Sequence, residues 1–126
     1  MTDGHKSDSG KPQLNLIVPG WMWEVALVLS HGAKKYGAGN WKHVESSRYN
    51  AALQRHMLQY ASGETLDSET GLHHMAHISC SAMFMWNADN KALNGKLPER
   101  ACKCTNCTGG LSEQTCLAYN LRYKGL

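Results

Sequence analysis

The sequence predicts an all-α protein, a small helical bundle completed by oligomerisation and followed by a Cys-rich C-terminal appendage. Three observations carry this. Three segments repeat apolar residues at helical spacing, and no run alternates over the length of a strand. The third segment is apolar around much of its circumference near "ISCSAMFMW", which asks for more cover than two neighbouring helices supply. Beyond about residue 98 the composition changes, and four of the five cysteines fall in "CKCTNCTGGLSEQTC".

Residues 1–12, "MTDGHKSDSGKP", are polar and lack the apolar core of a signal peptide, so they read as a disordered leader. The helical domain is expected over 13–97. Its first helix opens at Pro19 and is expected to stop at Gly32, with Val25, Val28 and Leu29 on one face and Glu24, Leu27, Val28 and His31 on another. A second covers "SSRYNAALQRHMLQYASGE", capped by Ser46 or Ser47 and closed near Gly63. A third and longer one runs through "DSETGLHHMAHISCSAMFMWNADNKALNG", with Asp67, Ser68 or Thr70 available as cap. The tail, 98–126, forms a separate appendage.

Bulk properties narrow the function. No apolar stretch approaches the ~20 residues needed to cross a bilayer, so a cytoplasmic protein without membrane contact is expected. A net charge of +3 suits an anionic small molecule but lacks the concentrated Lys and Arg of a duplex-DNA binder. Inside a cell the cysteines are reduced thiols or metal ligands.

The segment "SETGLHHMAHISC" sets three histidines within five positions. On a helix His73 and His77, or His74 and His77, share a face, and His77 belongs to both stripes, one reaching back to Glu69 and the other to Thr70. Imidazole is the commonest side-chain metal ligand, and His56 beside Arg55 on the preceding helix can point into the same space. Spacing alone leaves two readings open, a metal site or hydrogen-bonded structural histidines. No HExxH motif is present. The loop "HGAKKYGAGNWK" combines glycines that admit phosphate oxygens, Lys34 and Lys35 that neutralise them, Trp41 to stack on a base and Asn40 to read its edge. An ordinary helix-ending loop is the alternative.

Taken together, "KPQLNLIVPGWMWEVALVLSHGAKKYGAGNW" and "SRYNAALQRHMLQYASGETLDSETGLHHMAHISCSAMF" resemble the bacteriophage dATP/dGTP diphosphohydrolase group, which is MazZ-like and related to the MazG-like all-α nucleoside triphosphate pyrophosphohydrolases. The likeness spans roughly residues 11–90. It implies hydrolysis of a purine deoxynucleoside triphosphate to monophosphate and pyrophosphate with Mg²⁺ or Mn²⁺, in the host cytoplasm, shaping a phage nucleotide pool. The group's pattern falls on Lys35, Tyr36, Asn40, Trp41, Arg48, Arg55 and His56, and on Asp67, Glu69, Gly71, His74 and His77. Lys35 and Arg55 are then catalytic clamps alongside Glu69 and His77, with Lys34, Tyr36, Asn40, Trp41, Arg48 and His56 binding substrate. Glu24, Asp67, Glu69, His74 and His77 are the candidate metal ligands, and Glu69, Glu24 or His77 the candidate base. One departure stands out: the wider superfamily's EExxE and ExxD helices are missing, and Glu64 with Asp67 fit ExxD only within a Gly-flanked turn.

In the tail, Cys102, Cys104, Cys107 and Cys116 give C-x-C-x₂-C-x₈-C, and "CTNCTGG" resembles a zinc knuckle, so a structural Zn²⁺ is expected. Free thiols on a flexible tail are the alternative. Cys80 reads as core. Two functions from different classes follow. One is the hydrolase, acting as a homodimer or homotetramer. The other is a non-catalytic zinc module binding nucleic acid or protein through Tyr119, Arg122, Tyr123 and Lys124, which the shortage of basic groups disfavours.

Overall fold

The computed structural model describes residues 4–91. Among them the regular structure is helical: α1 (Pro19–Tyr36), α2 (Ser46–Ala61) and α3 (His74–Asp89), with short 3-10 turns at Leu14–Leu16 and Asn40–His43. The all-α expectation holds. The Cys-rich appendage lies outside the described residues. One compact unit begins at Leu14. Residues 4–13 belong to the other and are exposed, with one turn closed by Lys11 N–H donating to the Asp8 carbonyl.

Helix α1 opens at Pro19, whose fixed φ and missing N–H suit a first turn. It does not stop at Gly32. It continues to Tyr36, and the stop is Gly37 at φ +92°, where the backbone turns into a region that side-chain-bearing residues avoid. A helical Gly32 costs only about 1 kcal/mol relative to Ala, and Lys34 and Lys35 place positive charge in the last turn, where the helix dipole favours it. Gly39, at φ +77°, then leads into the 3-10 turn that carries Asn40 and Trp41. Helix α2 begins at Ser46 with Glu45 in the cap position, so neither Ser46 nor Ser47 serves as cap.

The third helix differs most from expectation. It starts at His74, and neither Asp67, Ser68 nor Thr70 caps it. His73 does, its Nδ1 accepting from the Met75 backbone N–H at 2.9 Å. Residues 62–73 instead form a folded loop pinned by an antiparallel bridge between Leu66 and His73. Glu69 therefore lies on this loop and shares no helical stripe with the histidines.

Helix α3 packs on both other helices. Toward α2 it presents His74, His77 and Phe84, which meet His56 and Tyr49; this is a stripe at helical spacing on each partner. Toward α1 it presents Ser79 and Cys80, which bond the Trp21 indole N–H at 3.1 Å and the Val25 carbonyl at 3.5 Å. Small buried residues, Ala76, Cys80 and Ser81, let the helices approach. The Glu24 carboxylate accepts from the His73 backbone N–H, placing negative charge at the positive end of α3.

Candidate functional site

The loop before α3 is built around Asp67. Its Oδ2 accepts three hydrogen bonds: from the Thr70 N–H at 2.9 Å, the Thr70 hydroxyl at 3.0 Å and the Glu69 N–H at 3.2 Å. Backbone bonds of 2.8 Å from Asp67 N–H to the Leu72 carbonyl and from Gly71 N–H to the Asp67 carbonyl close the loop. An Asp side chain that binds following N–H groups stabilises a turn against helix, which is why α3 begins late. Gly71, at φ +72°, supplies the left-handed residue this turn needs. Burial alone would raise the Asp67 carboxyl. The Thr70 hydrogen bonds, with His77 and His56 nearby, outweigh it and hold the pKa below the ordinary range. Asp67 is thus ionised at neutral pH, with Oδ2 saturated and Oδ1 turned toward His56 at 4.0 Å.

Three histidines surround that carboxylate. His56 Nδ1 lies 2.9 Å from His74 Nδ1, and the His56 and His77 rings stack at 4.5 Å with planes 9° apart. His77 Nε2 meets the Thr70 hydroxyl at 2.7 Å. The single hydroxyl proton of Thr70 goes to the ionised Asp67, the stronger acceptor, so the hydroxyl oxygen accepts from His77. This places the His77 proton on Nε2 and leaves its Nδ1 lone pair free. Burial lowers the pKa of His56, reinforced by His77 and opposed by Asp67. Burial also lowers that of His77, against the pull of Asp67. Both rings are therefore neutral at pH 7. His74 is fully buried, and its Nε2 has no hydrogen-bond partner; the Glu64 carboxylate stands 3.7 Å away.

A cleft of about 670 Å³ opens over this cluster. One wall is aromatic: Trp41 stacks on Phe84 at 4.5 Å, and Tyr49 tilts against Phe84 at 4.6 Å. Across the mouth, Lys35 Nζ reaches Glu69 Oε1 at 3.0 Å. The Glu69 hydrogen bond, with Tyr36 adding to it, raises the pKa of the Lys35 ammonium.

The structure sorts the residues singled out from sequence. Lys35, Tyr36, Asn40, Trp41, His56, Asp67, Glu69 and His77 line the cleft, whereas Lys34, Arg48 and Arg55 do not and are exposed. Glu24 lies apart, bonded to His73 over a small depression it shares with Trp21 and Met75. One donor atom each from His56, Asp67 and His74 falls within 4.8 Å of the others, a grouping that includes neither Glu24, Glu69 nor His77. Sequence reading missed His31, Tyr49 and Phe84 in the cleft, and placed Thr70 as a possible cap or on a helical stripe with His77, whereas Thr70 meets His77 from the loop. A signal for His31 existed, since it stands one turn before Lys35 on the same face of α1. Nothing local marked Tyr49 or Phe84.

Fold and site together define an all-α domain whose cleft joins a histidine–carboxylate cluster to a lysine and an aromatic wall. The chain belongs to the family described as dATP/dGTP diphosphohydrolase, N-terminal, whose model matches residues 1–96. It is similar to a dATP/dGTP diphosphohydrolase of Salmonella phage PMBT28, at 43% identity over 89 residues, which is 70% of this chain and 31% of that protein. The chain thus spans about a third of the length of that relative. No solved structure matches it.

Proposed function

We propose that this chain takes part in the hydrolysis of purine deoxynucleoside triphosphates, dATP or dGTP, to monophosphate and pyrophosphate, in the cytoplasm of a phage-infected host. The family supports the substrate class. The observation that carries the reading is the Lys35–Glu69 pair, 3.0 Å long, at the mouth of a cleft that holds Asp67 and neutral imidazoles.

Each part has a task in this reading. Lys35 exchanges Glu69 for a phosphate oxygen and neutralises charge that grows in the transition state. The wall of Trp41, Phe84 and Tyr49 takes the purine, and Asn40 hydrogen-bonds its edge. His77 holds a free Nδ1 to receive a proton from the attacking water, while Thr70 and Asp67 fix its tautomer. A divalent cation supplies Lewis acidity and lowers the pKa of a bound water. The donors fit such a cation: an ionised carboxylate with neutral imidazoles suits Mn²⁺ better than Mg²⁺, which prefers an all-oxygen shell. Lys34, Arg48 and Arg55, exposed outside the cleft, contribute longer-range attraction for the anionic substrate.

The active form is a homodimer or homotetramer. Trp23 is 72% exposed and Leu58 71%, with Trp21, Met22 and Met57 also open, while Ala76 and Cys80 are the buried apolar residues among those described. Apolar area of that kind marks a protein interface. Incubation of the full chain with each deoxynucleoside triphosphate and Mn²⁺ tests the activity. Monophosphate plus pyrophosphate from dATP or dGTP is expected. Inorganic phosphate as the first product, or no turnover at all, overturns the reading, and a monomeric mass in light scattering removes the oligomer.

A further inference from the structure

We infer that His56 Nδ1, His74 Nδ1 and Asp67 Oδ1 form a binding site for one divalent first-row transition ion, with Glu64 orienting His74 from outside the coordination shell. The inference deepens the hydrolytic reading and rests on it for the ion's purpose. Ion binding itself is read without turnover.

Four observations converge. The two Nδ1 atoms are 2.9 Å apart. Ligand bonds of about 2.0–2.1 Å, meeting at the ion at or somewhat above a right angle, set neighbouring nitrogens about 3 Å apart. The third donor stands close by, with Asp67 Oδ1 4.0 Å from His56 Nδ1, about 1 Å beyond the spacing of neighbouring ligands, a gap that a small side-chain movement closes. Asp67 gives its other oxygen to Thr70 and Glu69, so Oδ1 is the atom left to coordinate, and it carries the charge the ion needs.

The fourth observation is the buried orphan, His74 Nε2. In the metal-free pair one Nδ1 must carry a proton for the other. If His74 donates it, the bare Nε2 faces the Glu64 carboxylate at 3.7 Å, two acceptors opposed; if His56 donates it, His74 already has the tautomer that an ion at both Nδ1 atoms requires. With an ion at Nδ1 the His74 proton resides on Nε2 and points at Glu64. A ligating histidine that offers its second N–H to a carboxylate is the usual outer-shell arrangement, and it fixes the ring and strengthens the donor.

The donor set also selects the ion. Two imidazoles and one carboxylate suit Mn²⁺, Fe²⁺, Co²⁺, Ni²⁺ or Zn²⁺, whereas Mg²⁺ and Ca²⁺ take oxygen shells. The site is one step from the cleft. Asp67 bridges it to Thr70 and His77, and His77 stacks on His56.

The test is a Co²⁺ titration of the chelator-treated full chain, followed by paramagnetic shifts of the histidine ring protons in NMR. Ring signals separate this site from the cysteine tail, where cobalt would instead show a thiolate charge-transfer band. Saturable shifts centred on His56 and His74 are expected, unaltered by a large excess of Mg²⁺. They disappear in His56→Ala. Should that variant fail to fold, Glu64→Gln carries the test, because Glu64 is partly exposed and outside the shell; its cobalt affinity drops about tenfold or more. Absence of shifted ring signals, unchanged affinity in both variants, or displacement by Mg²⁺ overturns the inference. Failure here separates from failure of the hydrolytic reading. Turnover with Mg²⁺ and no cobalt at His56 sinks the ion site alone, and bound cobalt without turnover under any cation sinks the hydrolase alone.

Discussion

Lys35 and Glu69, separated by 34 positions, meet at 3.0 Å and tie the end of α1 to the loop before α3. Both side chains are largely open to solvent, at 48% and 66% exposure. An exposed ion pair of this kind adds little to stability, because water screens both charges. Its value lies in where it holds a cation, over the histidine–carboxylate cluster.

That separation of roles predicts a split result for Lys35→Ala. Loss of one fixed charge donor lowers turnover by about 10²–10³. The melting temperature changes by no more than a few degrees, as expected for a surface pair. Rate assays with dATP and dGTP beside thermal melts check both halves, and a variant of near-normal rate would remove Lys35 from the clamp.

Thr70→Val keeps the side-chain shape and deletes the hydroxyl that joins Asp67 to His77. Polar atoms of both partners are left without that bond in a half-buried setting. Destabilisation of about 1–3 kcal/mol follows, measured as a lower urea midpoint at unchanged slope. His77 also loses the hydrogen bond that sets its tautomer, so the rate falls even where the variant is fully folded.

Gly71→Ala forces a side chain into φ +72°, although no heavy atom lies within 4 Å of the added Cβ. The cost is conformational, about 1–2 kcal/mol. Gly71→Asn, which tolerates that region, should retain most of the stability. Equilibrium unfolding of the two variants side by side distinguishes backbone strain from a clash, because a clash would penalise Asn more.

Burial pushes the Cys80 thiol up to about 11 from 9.0. The folded state therefore holds a proton that the unfolded chain releases first. The resulting stability is fully present below pH 9 and declines as pH rises from about 9 toward 11. Native protein at pH 8 should leave the Cys80 peptide unalkylated by iodoacetamide, and denaturant should expose it. Rapid native labelling of that peptide in mass spectrometry would contradict the burial.

Much of the fold was legible because helical periodicity, Pro19 and the glycines are local signals. The misplaced boundaries have local causes too. Gly32 is tolerated inside α1 because Gly37 is the residue at positive φ. Thr70 and Gly71 sit in a turn because Asp67 binds the N–H groups that a helix would have had to leave open or cap.

By itself the sequence determined that this chain is helical, because spacing along a chain records which residues can share a turn or a face; the grouping of Lys35, Asp67, His74 and His77 came from the family resemblance and not from spacing. Only the tertiary structure decided which atoms meet. It set His56 against His74 across two helices, gave Glu24 to the start of α3, opposed Glu69 to Lys35, and walled the cleft with Tyr49 and Phe84. Contacts between residues distant in the chain depend on the packing of α2 and α3 and on the folded loop between them, and no local spacing encodes those.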